Sequence, residues 1–288
     1  MKTSQLTCLI VAAYLIASAS LSASVPATID EKAQSLLSQW RERFDAEDLR
    51  YTVGGPFVIG GDASAARLKE YRDNTILAAM RALNATYFNT DPSEPVLILL
   101  FENAESYQRL AKKWFGDDDV PHYGFFRRSD HTMLMNVGTG TGTLVHELVH
   151  ALIAPDFPDV PDWFNEGLAS LYEQCSIHGD AIRGHENWRL GDLQEAIEKD
   201  QLRTLRQLVE DAEFYNDAHV GMNYAQARYL LMYLQEKDLL KKYYQDFREN
   251  IEADPTGLKT LEKTIAPSAL EQFEADWRKW VITLKFEP

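Results

Sequence analysis

The chain has 288 residues, of which 45% are hydrophobic and 25% are charged, and its formal net charge is -15. This is the composition of a globular protein, and it excludes a disordered chain or a fibre. The acidic balance argues against nucleic acid or an anionic membrane as a partner, because both are bound through clustered Lys and Arg.

The N-terminal segment predicts a secretory signal peptide over residues 1–27. Lys2 supplies a positive charge, residues 6–17 are apolar, and small residues follow, with possible cleavage after Ala19, Ala23 or Ala27. A membrane anchor is the alternative, but the apolar run is shorter than the roughly 18 residues of a spanning helix. We therefore expect a secreted or periplasmic protein of the bacterial envelope, with no stable membrane insertion after cleavage.

The two cysteines predict a mature chain without an intrachain disulfide. Cys8 leaves with the signal peptide, so only Cys175 remains. A domain of this size folds in a bacterial periplasm without disulfides. We expect Cys175 to be a small buried residue on the helix that begins near Trp163.

Residues 28–155 are predicted to form an α+β subdomain. The spacing of apolar residues predicts helices over 28–50, 64–88 and 105–115. Strands are predicted over 56–61, 95–102, 123–128 and 131–137. The continuous apolar run at 95–102 indicates a buried central strand, and the last two strands form a hairpin around a Ser-Asp turn. We expect the second arm of this hairpin, near 133–137, to be an edge strand beside the next helix.

Residues 156–288 are predicted to form a helical subdomain that completes the functional site. From residue 143 onward, helices are predicted over 143–154, 163–176, 190–200, 204–211, 223–236, 238–251 and 268–284. Pro155, Pro158 and Pro161 separate the first helix from the second. The predicted fold class is therefore α+β, with a small mixed sheet followed by an all-helical C-terminal half.

The segment HELVH at 146–150 holds two histidines four residues apart. On a helix these share one face, so His146 and His150 present their imidazoles to a common point, as a zinc ion requires. Glu147 lies about 100° around the helix, where it can reach a water on the metal without being a ligand. Solvated or core-satisfied histidines are the alternative. The surrounding residues are apolar almost all round, however, and histidines in a buried helix need a partner.

A catalytic zinc site commonly has three protein ligands and one open position. The segment DWFNEGLASLYE, from residue 162 to 173, has a helical apolar pattern with Glu166 in its first turn. The proline-rich loop before it is long enough to reverse the chain and return this helix to the first. Glu166 is therefore the predicted third ligand. Glu173, two turns further on, is the competitor, and we expect it behind the ligands or at the surface.

The stretch HELVHALIAPDFPDVPDWFNEGLASLYE resembles the gluzincin metallopeptidases, and most of all the peptidase MA-like group of bacterial zinc peptidases. The likeness extends over about residues 50 to 250. It implies a gluzincin fold, one zinc ion per chain and a peptide or protein substrate. In aminopeptidases of the N type, the glutamate of a WFNEGLA-like segment is the third zinc ligand, and Glu166 matches it. The interval from His150 to Glu166 is shorter than in those aminopeptidases, and no GxMEN-like motif is present, so their specificity does not carry over.

The resemblance also implies a role for a tyrosine further along the chain. The segment GMNYAQARYLL resembles a family helix on which a tyrosine stabilises the tetrahedral oxyanion, and Tyr224 is the matching position. A phenol near the metal can donate a hydrogen bond to developing negative charge. The alternatives are that Tyr224 only packs on an amphipathic helix, or that His219 takes this role.

Together these features predict an exported zinc-dependent metallopeptidase. Glu147 would act as the general base, and an extended peptide would add to the edge of the sheet. The alternative is a catalytically inactive envelope protein that keeps the fold for binding or as a scaffold. The complete set of ligands and base favours the enzyme. The sequence does not distinguish endopeptidase from aminopeptidase or set the oligomeric state.

Overall fold

The computed structural model describes residues 27–118 and 120–287. The predicted signal peptide therefore lies outside the described residues, except for Ala27. Within the described ranges, none of the helices combines the length and the apolar character needed to cross a membrane.

A five-stranded mixed sheet lies in the first half of the chain. Its strands are β1 (Arg50–Gly54), β2 (Phe57–Gly61), β3 (Val96–Phe101), β4 (Gly124–Arg127) and β5 (Thr132–Asn136). Their spatial order is β1-β2-β3-β5-β4. Strand β3 is parallel to both of its neighbours, and the two outer pairs are antiparallel. All six residues of β3 are buried, which confirms the prediction of a buried central strand.

The predicted edge strand is wrong in one respect. The hairpin forms as expected, but β5 is an interior strand between β3 and β4, and β4 is the edge. The side chains of β5 alternate between two apolar layers, with Met133 and Met135 on one side and Leu134 on the other. A strand that is apolar on both faces is stabilised in the interior of a sheet, whereas most of β4 is only half-buried.

Helices cover both faces of the sheet. Helix α1 (Ile29–Ala46) and helix α4 (Ala104–Phe115) pack on the face that carries Leu134. The opposite face carries a continuous helical segment made of α2 (Ala65–Glu70), a π-helical turn (Tyr71–Ile76) and α3 (Leu77–Thr86). Helix α5 (Gly142–Asp156) packs on this second face and holds the HELVH segment. The predicted helices of this half are thereby confirmed, with small shifts at their ends.

The second half contains helices and one hairpin. Its elements are α6 (Asp162–Leu171), β6 (Cys175–His178), β7 (Ala181–Gly184), α7 (Leu190–Glu198), α8 (Leu205–Val209), α9 (Val220–Glu236), α10 (Leu240–Asn250), α11 (Leu258–Ile265) and α12 (Leu270–Thr283). Helix α11 was not predicted. The mixed α+β class, with a small sheet and many helices, is confirmed.

The prediction of an all-helical C-terminal half is wrong. Helix α6 ends at Leu171 instead of continuing to residue 176, and the antiparallel hairpin β6–β7 follows it. The hairpin turn contains Gly179 in the left-handed region, with φ at 61°, which glycine adopts without strain. Gly184 then packs against Leu171 so tightly that a Cβ atom would collide with it. Cys175 consequently begins a strand and is half-buried, not buried on a helix.

The helices of the second half place the candidate residues near α5. Helix α6 packs against both α5 and α9, and Gly167 lies directly against α9. A Cβ atom there would lie 3.1 Å from Ala227 Cβ, so the glycine permits this short distance between the helices. Because Tyr224 lies one turn before Ala227, this packing brings Tyr224 to the side of α6 that carries Glu166.

Candidate metal centre

The two predicted histidines lie on the buried helix α5. They are one turn apart, and their Nε2 atoms are separated by 3.1 Å. Their exposed fractions are 8% for His146 and 7% for His150. Helix α5 begins at Gly142, where a Cβ atom would collide with the carbonyl oxygen of Glu173. The glycine therefore lets the start of α5 lie directly against the chain that leaves α6.

Helix α6 brings Glu166 to the same point. Its Oε2 atom lies 3.3 Å from Nε2 of His146 and 3.4 Å from Nε2 of His150. The three buried residues form a group whose ligand atoms all lie within 4.8 Å of one another. The structure thus brings together the three residues predicted as ligands, and this group could hold a metal ion.

The surroundings of the Oε2 atom of Glu166 fit a bound cation. This oxygen is buried and has no hydrogen-bond donor among the residues that the structure describes, because the two nearby imidazole nitrogens are not aligned to donate to it. An unsatisfied carboxylate oxygen away from water is costly. A metal ion at the point shared with the two Nε2 atoms would satisfy it.

The electrostatics of the group favour positive charge at its centre. Burial alone would lower the pKa of the His146 imidazole, but Glu166 and Glu173, helped by Glu147, outweigh it and raise that pKa to about 10. Burial would raise the pKa of Glu166, yet the two histidines hold it well below its ordinary value. The carboxylates therefore stabilise a cation here, whether it is a proton or a metal ion.

Each imidazole is oriented by a partner at its other nitrogen. Nδ1 of His150 is 2.9 Å from Oδ1 of Asn165, which can only accept, so Nδ1 carries the proton and the Nε2 lone pair is left for a metal. Nδ1 of His146 is 3.2 Å from Oε1 of Glu173, although this contact is poorly aligned for a hydrogen bond. Asn165 was missed from the sequence, although an asparagine inside an apolar helix is itself a signal that needs a partner.

Glu173 lies behind His146 and is not part of the group that could hold a metal. Its Oε1 also accepts a hydrogen bond of 3.2 Å from Nη2 of Arg189, and its Oε2 accepts one of 3.1 Å from Asn187 Nδ2. Asn187 and Arg189 follow β7 in the segment HENWR. No motif in the sequence singled them out, because their role depends on the β6–β7 hairpin that the prediction missed.

A cleft of about 870 Å³ opens over His146 and Glu147. Its lining includes Tyr123, from the chain that enters β4, together with Trp188 and Tyr224. Glu147 is half-buried in this cleft. Burial raises the pKa of its carboxyl and Glu166 raises it further, while the two imidazoles and the Phe126 backbone act in the opposite direction. The predicted base therefore lies in the cleft beside the ligands.

Two tyrosines lie near Glu166. Tyr224 lines the cleft, and its ring stands 5.4 Å from that of Phe214 and 5.1 Å from the Arg189 guanidinium carbon. Burial, the charge of Glu166 and a hydrogen-bonding contact with that carboxylate all raise the pKa of Tyr224, so the phenol keeps its proton. Tyr215, which the sequence did not single out, donates a hydrogen bond of 2.7 Å to Oε1 of Glu166. His219, the alternative to Tyr224, is exposed before α9 and is not among the described residues that line the cleft.

Comparison with known proteins gives one family match. A family model described as "Protein of unknown function (DUF1570)" matches residues 140–255. No curated protein matches this chain. The matched part begins just before α5 and contains the ligand group, Glu147 and both tyrosines. The chain is therefore similar to that family over the segment that builds the candidate metal centre.

Proposed function

We propose that this protein is an exported zinc metallopeptidase of the gluzincin type, with the fold that this implies. The observation that carries the proposal is the triangle of ligand atoms, with sides of 3.1, 3.3 and 3.4 Å. Tetrahedral zinc with bonds of about 2.0–2.1 Å separates its ligand atoms by about 3.3–3.4 Å. The three side chains match this spacing closely.

The donor set also favours zinc in a catalytic role. Two imidazole nitrogens and one carboxylate oxygen are a ligand combination found in catalytic zinc sites, where a fourth position stays open. His146 and Glu147 line the cleft, so a substrate bound there would lie beside one ligand and the proposed base. The resemblance of the HELVH and WFNEGLA segments to gluzincin peptidases agrees with this assignment.

The side chains have distinct roles in the proposed hydrolysis. A bound zinc ion supplies Lewis acidity and an acidified water. Glu147 accepts a proton from the attacking water and returns it to the leaving amine. Tyr224 donates its phenolic hydrogen bond to the negative charge that develops on the carbonyl oxygen. His146, His150 and Glu166 are the ligands, one zinc ion per chain.

The substrate is a peptide or protein segment that passes the edge of the sheet. Strand β4 is the edge strand next to α5. A hydrogen bond from the backbone of its residue Phe126 acts to lower the pKa of Glu147. An extended segment could pair with β4 through main-chain hydrogen bonds and place its carbonyl above the ligands. The signal-peptide pattern of residues 1–27 supports action outside the cytoplasm.

Replacement of the base tests this function. Glu147→Gln should keep the zinc content of the purified protein and lower kcat by about 10²–10⁴-fold, the usual contribution of a general base. The measurement is hydrolysis of a panel of unfolded proteins and peptides, with and without a chelator. Glu252→Gln makes the same chemical change at an exposed position after α10 and should leave hydrolysis unchanged.

Two outcomes would contradict the proposal. Equal hydrolysis by Glu147→Gln and the wild type would rule out the role of Glu147. A wild-type protein that binds zinc but cleaves nothing in the panel would favour the alternative of a non-catalytic binding or scaffold protein.

A further inference from the structure

The two oxygen atoms of the Glu166 carboxylate have different surroundings. Oε1 accepts a hydrogen bond of 2.7 Å from the hydroxyl of Tyr215. Oε2 has no hydrogen bond within the described part of the chain and lies 3.3 and 3.4 Å from the two histidine Nε2 atoms. One oxygen is thus held by the protein, and the other is left for a ligand.

The chain next to Tyr215 is anchored, although Tyr215 itself is 49% exposed. The preceding residue, Phe214, is buried, and its carbonyl oxygen accepts a hydrogen bond of 2.7 Å from Asn223 Nδ2 on α9. Asn223 is itself fully buried, and its Oδ1 accepts a hydrogen bond of 2.5 Å from Arg203. This chain of contacts anchors the segment between α8 and α9 directly beside Tyr215. A side chain with such support meets its partner at little further entropic cost.

We infer that Tyr215 is a positioning residue that commits Glu166 to binding the metal through Oε2 alone. The inference rests on the proposed zinc site. A carboxylate that binds through both oxygens adds a fifth contact and crowds the position that a substrate needs. By holding Oε1, the Tyr215 hydroxyl keeps the carboxylate in the one-oxygen orientation. Hydrogen bonds to metal ligands of this kind typically change metal affinity by about 10–100-fold.

The same contact separates the roles of the two tyrosines. A phenol has one proton to donate, and the proton of Tyr215 is donated to Glu166. Tyr224 also interacts with the Glu166 carboxylate, but unlike a purely supporting residue it lines the cleft. Tyr215 therefore acts on the ligand, whereas Tyr224 is the tyrosine that a substrate in the cleft could reach.

The substitution Tyr215→Phe removes the hydroxyl and keeps the ring. We expect the zinc affinity, measured by competition with a chromogenic chelator, to fall about tenfold. In protein loaded with Co²⁺, we expect weaker visible absorption, because cobalt absorbs less strongly with five ligands than with four. Tyr123→Phe is the matched control, since Tyr123 is 55% exposed in the same cleft and its hydroxyl has no partner among the described residues.

Unchanged zinc affinity and an unchanged cobalt spectrum in Tyr215→Phe would overturn the inference. An equal loss in Tyr123→Phe would overturn it as well, since the effect would not depend on Glu166. Neither readout requires hydrolysis. A chain that binds zinc and cleaves no peptide would contradict the proposed function and leave the role of Tyr215 supported, if only Tyr215→Phe weakens binding.

Discussion

Helix α5 carries two buried polar clusters that differ in one respect. At its C-terminal end, Asp156 Oδ2 accepts hydrogen bonds of 2.7 Å from Tyr244 and 2.6 Å from Arg248. Its Oδ1 accepts one of 2.8 Å from the backbone of Asn89. Both oxygens of this acid are satisfied by the protein. Near the middle of α5, by contrast, the two histidines meet Glu166 of α6, and Oε2 of Glu166 has no donor within the described residues.

The difference indicates what each cluster is for. A buried polar network in which every group is paired stabilises one arrangement of the chain, and here it ties α5 to α10 and to the chain after α3. A cluster whose polar atoms converge on one point, with an unpaired oxygen, is complete only with a ligand. The partners differ as well: Arg248 cannot lose its proton, whereas the two histidines can. Removing Glu166 should therefore mainly weaken metal binding, whereas removing Asp156 should mainly lower the stability of the fold.

The largest expected effect is on metal binding by the variant Glu166→Gln. The free energy of zinc binding at a structural site with four ligands is about 10–16 kcal/mol. Loss of one anionic ligand removes a share of this free energy and should weaken zinc binding about a hundredfold or more. The metal-free protein should lose less stability than a variant that leaves a buried charge unpaired, because a histidine, unlike an arginine, can lose its proton when its acid is removed. Chelator competition and denaturant unfolding of the metal-free protein measure the two quantities.

A large loss of stability in metal-free Glu166→Gln would contradict this comparison. It would mean that the ligand group stabilises the fold by itself, as the Asp156 cluster does. The comparison therefore requires both measurements on the same preparation.

The variant Asp156→Asn should behave in the opposite way. This substitution leaves the Arg248 guanidinium without its acid. We expect the free energy of unfolding to fall by about 2 kcal/mol. This is less than the usual loss for a broken buried ion pair, because Arg248 is partly exposed. Zinc affinity should stay at the wild-type value. Urea unfolding at neutral pH, with chelator competition on the same protein, measures both.

The effect of Asp156→Asn should also depend on pH in a defined direction. Burial would raise the pKa of Asp156, but hydrogen bonds from Tyr244, Asn89 and Arg248 outweigh it and hold that pKa below its ordinary value. Such a carboxyl stabilises the fold above its unfolded pKa, about 3.9 for aspartate, and this is lost as the pH falls through the folded value. The difference between wild type and variant should therefore shrink below about pH 4. A difference that stays constant there would contradict the assignment.

The two clusters also differ in how far the sequence reveals them. The positions of His146, His150 and Glu166 follow from helical spacing and from a short proline-rich loop, so their convergence was predictable. The alternation of Met133, Leu134 and Met135 likewise predicts which side chains face each layer of the sheet. These are local patterns, and local patterns are what a sequence displays directly.

Contacts between distant segments were not predictable in this way. Asp156 meets Tyr244 and Arg248 across about ninety residues of chain, and Tyr215 meets Glu166 from a loop with no regular pattern. The order of β4 and β5 in the sheet depends on which strand pairs with β3, which a hairpin pattern does not determine. The strands β6 and β7 have four residues each. Strands this short do not show a clear alternation of apolar and polar residues, so the helical pattern before them extends the predicted helix too far.

The smallest expected effect concerns a residue that touches a ligand without being one. Glu173 lies 3.2 Å from Nδ1 of His146, where His150 has the neutral amide of Asn165 instead. A carboxylate at this position makes the imidazole a stronger ligand than an amide does, so Glu173→Gln should weaken zinc binding about tenfold. Glu236→Gln is the matched control, because Glu236 also pairs with an arginine, Arg183, but at the surface. Equal zinc affinities for the two variants would mean that the poorly aligned contact to His146 contributes nothing. An effect confined to Glu173→Gln would show that zinc affinity also depends on a residue that contacts a ligand and not the metal. The Asp156 cluster has no such requirement, because its acid is satisfied by direct hydrogen bonds within the protein.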